Sequence, residues 1–208
     1  MTMKTMAEWA KEIHENAVAH GWWEEDRTIG EICALIHSEL SEALEEARAA
    51  RPMMYVMDEY NGEYIQNPKY FGAKKPEGIA VELADAVIRV LDWMAYCGQE
   101  YRLDYVEEQG ERLAAGYARS ETEPEELPEF VAYLHDIVSM IHLRLMDIDR
   151  VRGRGQKKKR QTEAMAAAGS VVFLVNGWLR MKGVQLKEVM EIKHRYNKTR
   201  PYKHGKAF

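Results

Sequence analysis

The chain has 208 residues, 46% hydrophobic and 30% charged, with a formal net charge of −5. This composition excludes a disordered chain, and the length allows a core without disulfides or a structural metal. The acidic balance disfavours a polynucleotide partner, no segment reads as a signal peptide or reaches the length of a membrane span, and Cys33 and Cys97 read as buried reduced thiols, so a cytoplasmic protein is expected.

Nearly every apolar pattern has the helical period, which predicts an all-α fold. The first helix is predicted over 4–20, with Met6, Trp9, Ile13 and Val18 on one side and a stop at His20-Gly21. Thr28, with Glu31 three residues on, caps a second helix over about 29–50, whose stripe is Ile32, Leu35, Ile36, Leu40, Ala43 and Leu44. Residues 51–77 carry Pro52, Gly62, Pro68, Gly72 and Pro76 and predict a long ordered loop with a short hairpin near Met54–Ile65. Helices over about 77–97 and 103–118 follow, the former ending at Gly98. Ser120–Pro128 is acidic, holds two prolines and is the best linker, dividing the chain into 1–119 and 120–208. Beyond it, helices are predicted over about 129–150, 163–182 and 185–197, with a basic loop or helix start at 151–162 and a stop at Pro201.

A faint internal repeat joins the two parts. Setting Gly98 on Gly183 puts Trp93 on Trp178, Val90 on Val175 and Val87 on Val172, while Glu82 falls on Ala167 and Asp85 on Ser170. The second part then keeps the packing residues and lacks the acids, as a degenerate copy in a tandem, pseudo-dimeric chain.

Two short patterns carry chemistry: Glu39-Leu-Ser-Glu42 and Glu82-Leu-Ala-Asp85. Acids three apart share a helix face, and two such helices side by side gather four carboxylates. Such pairs are common on solvated faces, and Glu45, Glu46, Glu107, Glu108 and Glu111 read that way. Glu82 and Asp85 differ because their neighbours are apolar, where free charge is costly. Four crowded acids must take up protons or hold a hard cation, Mg²⁺ or Mn²⁺. The ending KHRYNKTRPYKHGKAF is a dense cationic cluster (Lys193, Asn197, Arg200, Tyr202, Lys203 and His204) of the kind that neutralises phosphate.

IHSELSEALEE, GIAVELADAVIRVLD and EIKHRYNKTRPYKHG together resemble the MazG-like, all-α nucleoside triphosphate pyrophosphohydrolase superfamily, over about residues 5–98 and 183–205. The resemblance implies a helical bundle, here a homodimer of pseudo-dimeric chains. It implies Mg²⁺ or Mn²⁺ held by Glu39, Glu42, Glu82 and Asp85, and conversion of a nucleoside or deoxynucleoside triphosphate to the monophosphate and pyrophosphate. Lys193, Asn197 and Arg200, with Tyr202, Lys203 and His204, would contact phosphate and sugar. Trp22 and Trp23 would enclose the base, with His37 as a polar wall residue. There are two departures: Ser38 stands where the family often has a further glutamate, and about 85 extra residues precede the basic ending. Ser38 keeps open a catalytically decayed interaction protein of the same fold. A di-iron carboxylate bundle needs two ExxH motifs, and only Glu191–His194 has that form.

Overall fold

The computed structural model describes residues 4–103 and 126–205. The predicted helix over 103–118, most of the acidic linker, and Glu107, Glu108 and Glu111 lie outside them. The described residues form six α-helices: α1 (Met6–Ala19), α2 (Ile29–Arg48), α3 (Ile79–Tyr96), α4 (Leu127–Leu145), α5 (Arg154–Met181) and α6 (Leu186–Asn197). The all-α class follows the 3.6-residue apolar period. Thr28 and Glu31 form the predicted capping box at α2, and Thr5 with Glu8 forms a second one at α1.

Helix ends are set by one recurrent cap. After α3, Gly98 N–H bonds to Ala95 O and Gln99 N–H to Met94 O; after α5, Gly183 bonds to Arg180 and Val184 to Leu179 in the same way. Gly98 and Gly183 adopt φ of 63° and 78°, the left-handed region in which glycine carries no Cβ penalty. The same cap closes α1 at Gly21 and, with alanine, α2 at Ala50. It is therefore a general stop in this chain and carries no argument for duplication.

α3 lies at the centre, packed on α1, α2, α5 and α6, while α4 packs on α2 and α5. Ala80, Val81, Leu83, Ala84, Ala86, Val87, Val90 and Leu91 of α3 are buried, as are Ile36, Leu40 and Ala43 of α2. Trp178 on α5 stacks on Phe130 of α4, with ring centroids 5.3 Å apart. α5 starts at Arg154, well before the predicted 163, because the basic run is itself helical; Lys159 and Glu163 form an i,i+4 pair on it. α5 is also long and apolar enough to cross a membrane, by length and composition alone, which corrects the expectation that no segment reaches that length. Here 61% of its apolar window is buried within the protein.

The 51–77 loop holds the predicted hairpin, Val56–Met57 paired antiparallel with Tyr64–Ile65. Tyr55 and Glu77 exchange backbone hydrogen bonds and close the loop at its base. Gly78, at φ 114°, then turns the chain into α3; a Cβ there would meet Pro52 O at 2.6 Å. Glu46 is not the solvated acid the sequence suggested. It is buried and accepts from Arg51 Nη1 at 2.6 Å and Tyr55 Oη at 3.0 Å, tying the loop to α2. Cys97 is likewise not buried but exposed at the end of α3, whereas Cys33 is buried as expected.

A carboxylate-lined candidate active site

The geometry of α3 dictates the site. Its apolar residues turn into the core, which leaves Glu82, Asp85, Arg89 and Asp92 along one helical face. That face lines a cleft of about 300 Å³, shared with Glu39 and Glu42 of α2, Ile13, Asn16 and Ala17 of α1, and Lys193, His194 and Asn197 of α6. Trp22, Arg27, Lys75 and Arg200 complete the walls.

Glu39, Glu42 and Glu82 each bring a carboxylate oxygen within 4.8 Å of the others. Glu39 and Glu82 are 7% and 4% exposed. Burial pushes the Glu82 carboxyl up to about 8; Lys193 opposes this, and Asp85, Glu39 and Glu42 add to it. Burial likewise raises Glu39, with the Arg89 guanidinium working against it. Asp85 joins the group differently, as its Oδ2 lies 2.6 Å from Lys193 Nζ. Lys193 is 3% exposed. Burial alone would lower its pKa, but Asp85 and Glu82 more than offset that and leave it raised. On the other side, Arg89 Nε and Nη2 both sit 2.6 Å from Glu39 Oε1.

Three carboxylates this close cannot all ionise without compensating positive charge, and burial first, then the neighbouring acids, hold the Glu82 carboxyl above its ordinary range. The donors are all hard oxygens, with no thiolate or imidazole among them, which fits magnesium or manganese. One more polar group awaits a partner: Asn197 Oδ1 is buried with no hydrogen-bond donor among the described residues.

Of the residues singled out from sequence, Glu39, Glu42, Glu82, Asp85, Lys193, Asn197, Arg200 and Trp22 all line this cleft. Others stand elsewhere. Trp23 does not line it; its indole N–H donates to both Asp92 oxygens, at 2.9 and 3.0 Å, and its ring stacks on Tyr96 at 4.1 Å. His37 is not a wall of the cleft, because it faces α4, where its ring stacks on His135 with the Nδ1 atoms 2.7 Å apart. Tyr202 packs on Gly21 and donates its hydroxyl to Glu24, and Lys203 N–H bonds to His20 O, so these two strap the chain end to the α1–α2 turn. His204 has no described side chain. Arg27, Lys75 and Arg89 were not foreseen. Arg89 was within reach of the sequence, because it lies four residues past Asp85 and seven past Glu82, on the face of the acids.

Comparisons with models of protein families, with curated proteins and with solved structures give no match. Fold and site define an all-α protein with a carboxylate-lined cleft.

Proposed function

We propose that the chain is a divalent-metal-dependent nucleoside triphosphate pyrophosphohydrolase, of the MazG-like kind its motifs resemble. One observation carries the reading: carboxylates from α2 and α3 converge within 4.8 Å in a cleft that Lys193, Asn197 and Arg200 also line. Carboxylates that can hold a cation, with cationic side chains in the same cleft, are what a triphosphate requires. Glu39, Glu42 and Glu82, with Asp85 alongside, would hold Mg²⁺ or Mn²⁺, which supplies charge neutralisation and an acidified water. Lys193 and Arg200 hold phosphate oxygens and the charge that develops on departing pyrophosphate. Asn197 Oδ1 takes a hydroxyl or amino donor of the nucleoside, and the Trp22 ring lines the same cleft.

The tandem organisation belongs to the same proposal. Laying His37 on His135 sets α2 on α4, with Glu39 on Ile137 and Glu42 on Met140. Together with Ala167 and Ser170 for Glu82 and Asp85, the second half lacks the four site acids of the first. It contributes packing, and the chain end contributes α6.

The test is pyrophosphate release from a panel of nucleoside and deoxynucleoside triphosphates, with Mg²⁺ and with chelator. Chelator-sensitive release is expected, and Glu42→Gln should cut it at least about 100-fold. A decayed interaction protein is the second reading, favoured by Ser38, which donates to Glu42 Oε1 at 3.3 Å instead of supplying a carboxylate. It predicts no turnover of any triphosphate by a chain that still binds the metal.

A further inference from the structure

Of the cations lining the cleft, Arg27 and Arg89 stand on the α2–α3 side, and Arg200, over the Tyr196 ring at 6.0 Å, stands at the chain end. Lys193 is paired with Asp85, and Lys75 with Glu77 at 2.8 Å. Arg27 makes no ion pair among the described residues; its guanidinium lies 5.0 Å from the Trp22 ring centroid and is half-buried. Arg89 puts both Nε and Nη2 on a single oxygen, Glu39 Oε1. That geometry is not the two-pronged pairing a guanidinium makes with both carboxylate oxygens. The two guanidinium groups repel each other: burial and Arg89 both hold Arg27 below the usual arginine range.

We propose that Arg27 and Arg89 form an anion subsite for phosphate oxygens, which Arg89 completes by releasing Glu39 when a divalent cation takes its place on that carboxylate. The inference rests on the metal site proposed above and deepens it by adding a second recognition element on the α2–α3 wall. The physical reason is exchange of partners. Without metal, Arg89 is the cation that keeps Glu39 tolerable in its buried position. A divalent ion on Glu39, Glu42 and Glu82 does that work with more charge and makes the Arg89 contact redundant. The released guanidinium then lies near Arg27 with Asp92, itself held by His14 and Trp23, as their shared carboxylate neighbour, so a phosphate between the two arginines supplies the negative charge that Glu39 withdraws. Metal and phosphate should therefore bind cooperatively through Arg89, and Arg27 should act on phosphate alone.

The test uses the full chain and two probes, Mn²⁺ alone followed by paramagnetic resonance, and inorganic pyrophosphate added with Mg²⁺ followed by calorimetry. Arg89→Met is expected to bind Mn²⁺ about tenfold more tightly than wild type, because a competing cation is gone, and Mg²⁺-pyrophosphate about tenfold more weakly. Arg27→Met is expected to leave Mn²⁺ affinity within twofold and to weaken pyrophosphate about tenfold. Arg89→Lys keeps a positive charge and controls for folding; it should leave Mn²⁺ affinity near wild type while pyrophosphate binding falls. Opposite signs on the two probes separate partner exchange from structural damage, which lowers both. If wild type binds both probes but Arg89→Met leaves Mn²⁺ binding unchanged or weaker, the exchange is overturned. If both methionine variants bind pyrophosphate as wild type does, the subsite is overturned. If wild type binds neither probe, the metal-site reading falls and the inference with it.

Discussion

Glu82 concentrates the conflict on which the site depends. Its carboxyl is pushed up to about 8 by burial and by the neighbouring acids, against an ordinary value of 4.5. A carboxyl raised in the folded state favours folding while protonated, so its contribution is full below about pH 4.5 and is lost as the pH rises to about 8. Above that, the metal-free protein carries a buried charge that Lys193 only partly compensates. Glu82→Gln should therefore stabilise the metal-free protein at pH 8 by about 2 kcal/mol, or roughly 5 °C in thermal midpoint. It should also abolish most of the further gain that Mg²⁺ gives wild type. Thermal melts with and without Mg²⁺ check this, and a glutamine variant that melts lower without metal would contradict it. At this scale the sequence was informative where charge sat among apolar neighbours, as at Glu82 and Asp85. It misled where burial came from a distant segment. Glu46 looks like its exposed neighbour Glu45 until the loop residue Tyr55 covers it. Trp22 and Trp23 are adjacent and alike, yet only the fold decides that one lines the cleft and the other holds Asp92.

Among the elements, α6 brings Lys193 and Asn197 to the acids. Met190 and Val189 of α6 are buried, so the helix is part of the core and cannot be deleted to test its chemistry. Glu12 on α1 fastens its outer end. It accepts from Lys198 Nζ at 2.7 Å and also pairs with Lys4. The Lys198 contact first, then Lys4, holds the Glu12 carboxyl down at about 2. A depressed carboxyl contributes stability that is present above pH 4.5 and is lost as the pH falls towards 2. Glu12→Gln should flatten the acid limb of the stability profile across that window and leave it unchanged near neutrality apart from the small loss of a half-exposed ion pair. Denaturant titrations from pH 3 to 7 measure it, and an identical acid limb in both proteins would contradict the assignment. Element boundaries were legible because caps and periods are local: Thr28, Gly98 and Gly183 do their work within a few residues. The start of α5 was not, because a run of like charges reads as loop until its i,i+4 partner Glu163 is counted.

In the whole molecule, residues more than 150 positions apart in sequence, such as Glu39 and Lys193, meet in one cleft, and α3 is the axis they share. The helical class was legible because hydrophobic period alone sets it. The tandem reading belongs to the proposal alone, since helices of similar composition align easily; the contact of His37 with His135 shows only that α2 packs on α4. What sequence could not supply was which side of each helix pair faces the cleft, because that follows from packing over the full bundle. The central claim is that Glu39, Glu42 and Glu82 gather around a divalent ion and that the α6 wall faces the phosphates it binds. Crystals grown with Mn²⁺ and a non-hydrolysable nucleoside triphosphate analogue, measured at the manganese edge, test it most directly. An anomalous peak coordinated by those three glutamates, with phosphate oxygens between it and Lys193 or Arg200, is the expected result. Manganese bound elsewhere, or an analogue lodged outside this cleft while these carboxylates stay bare, would contradict it.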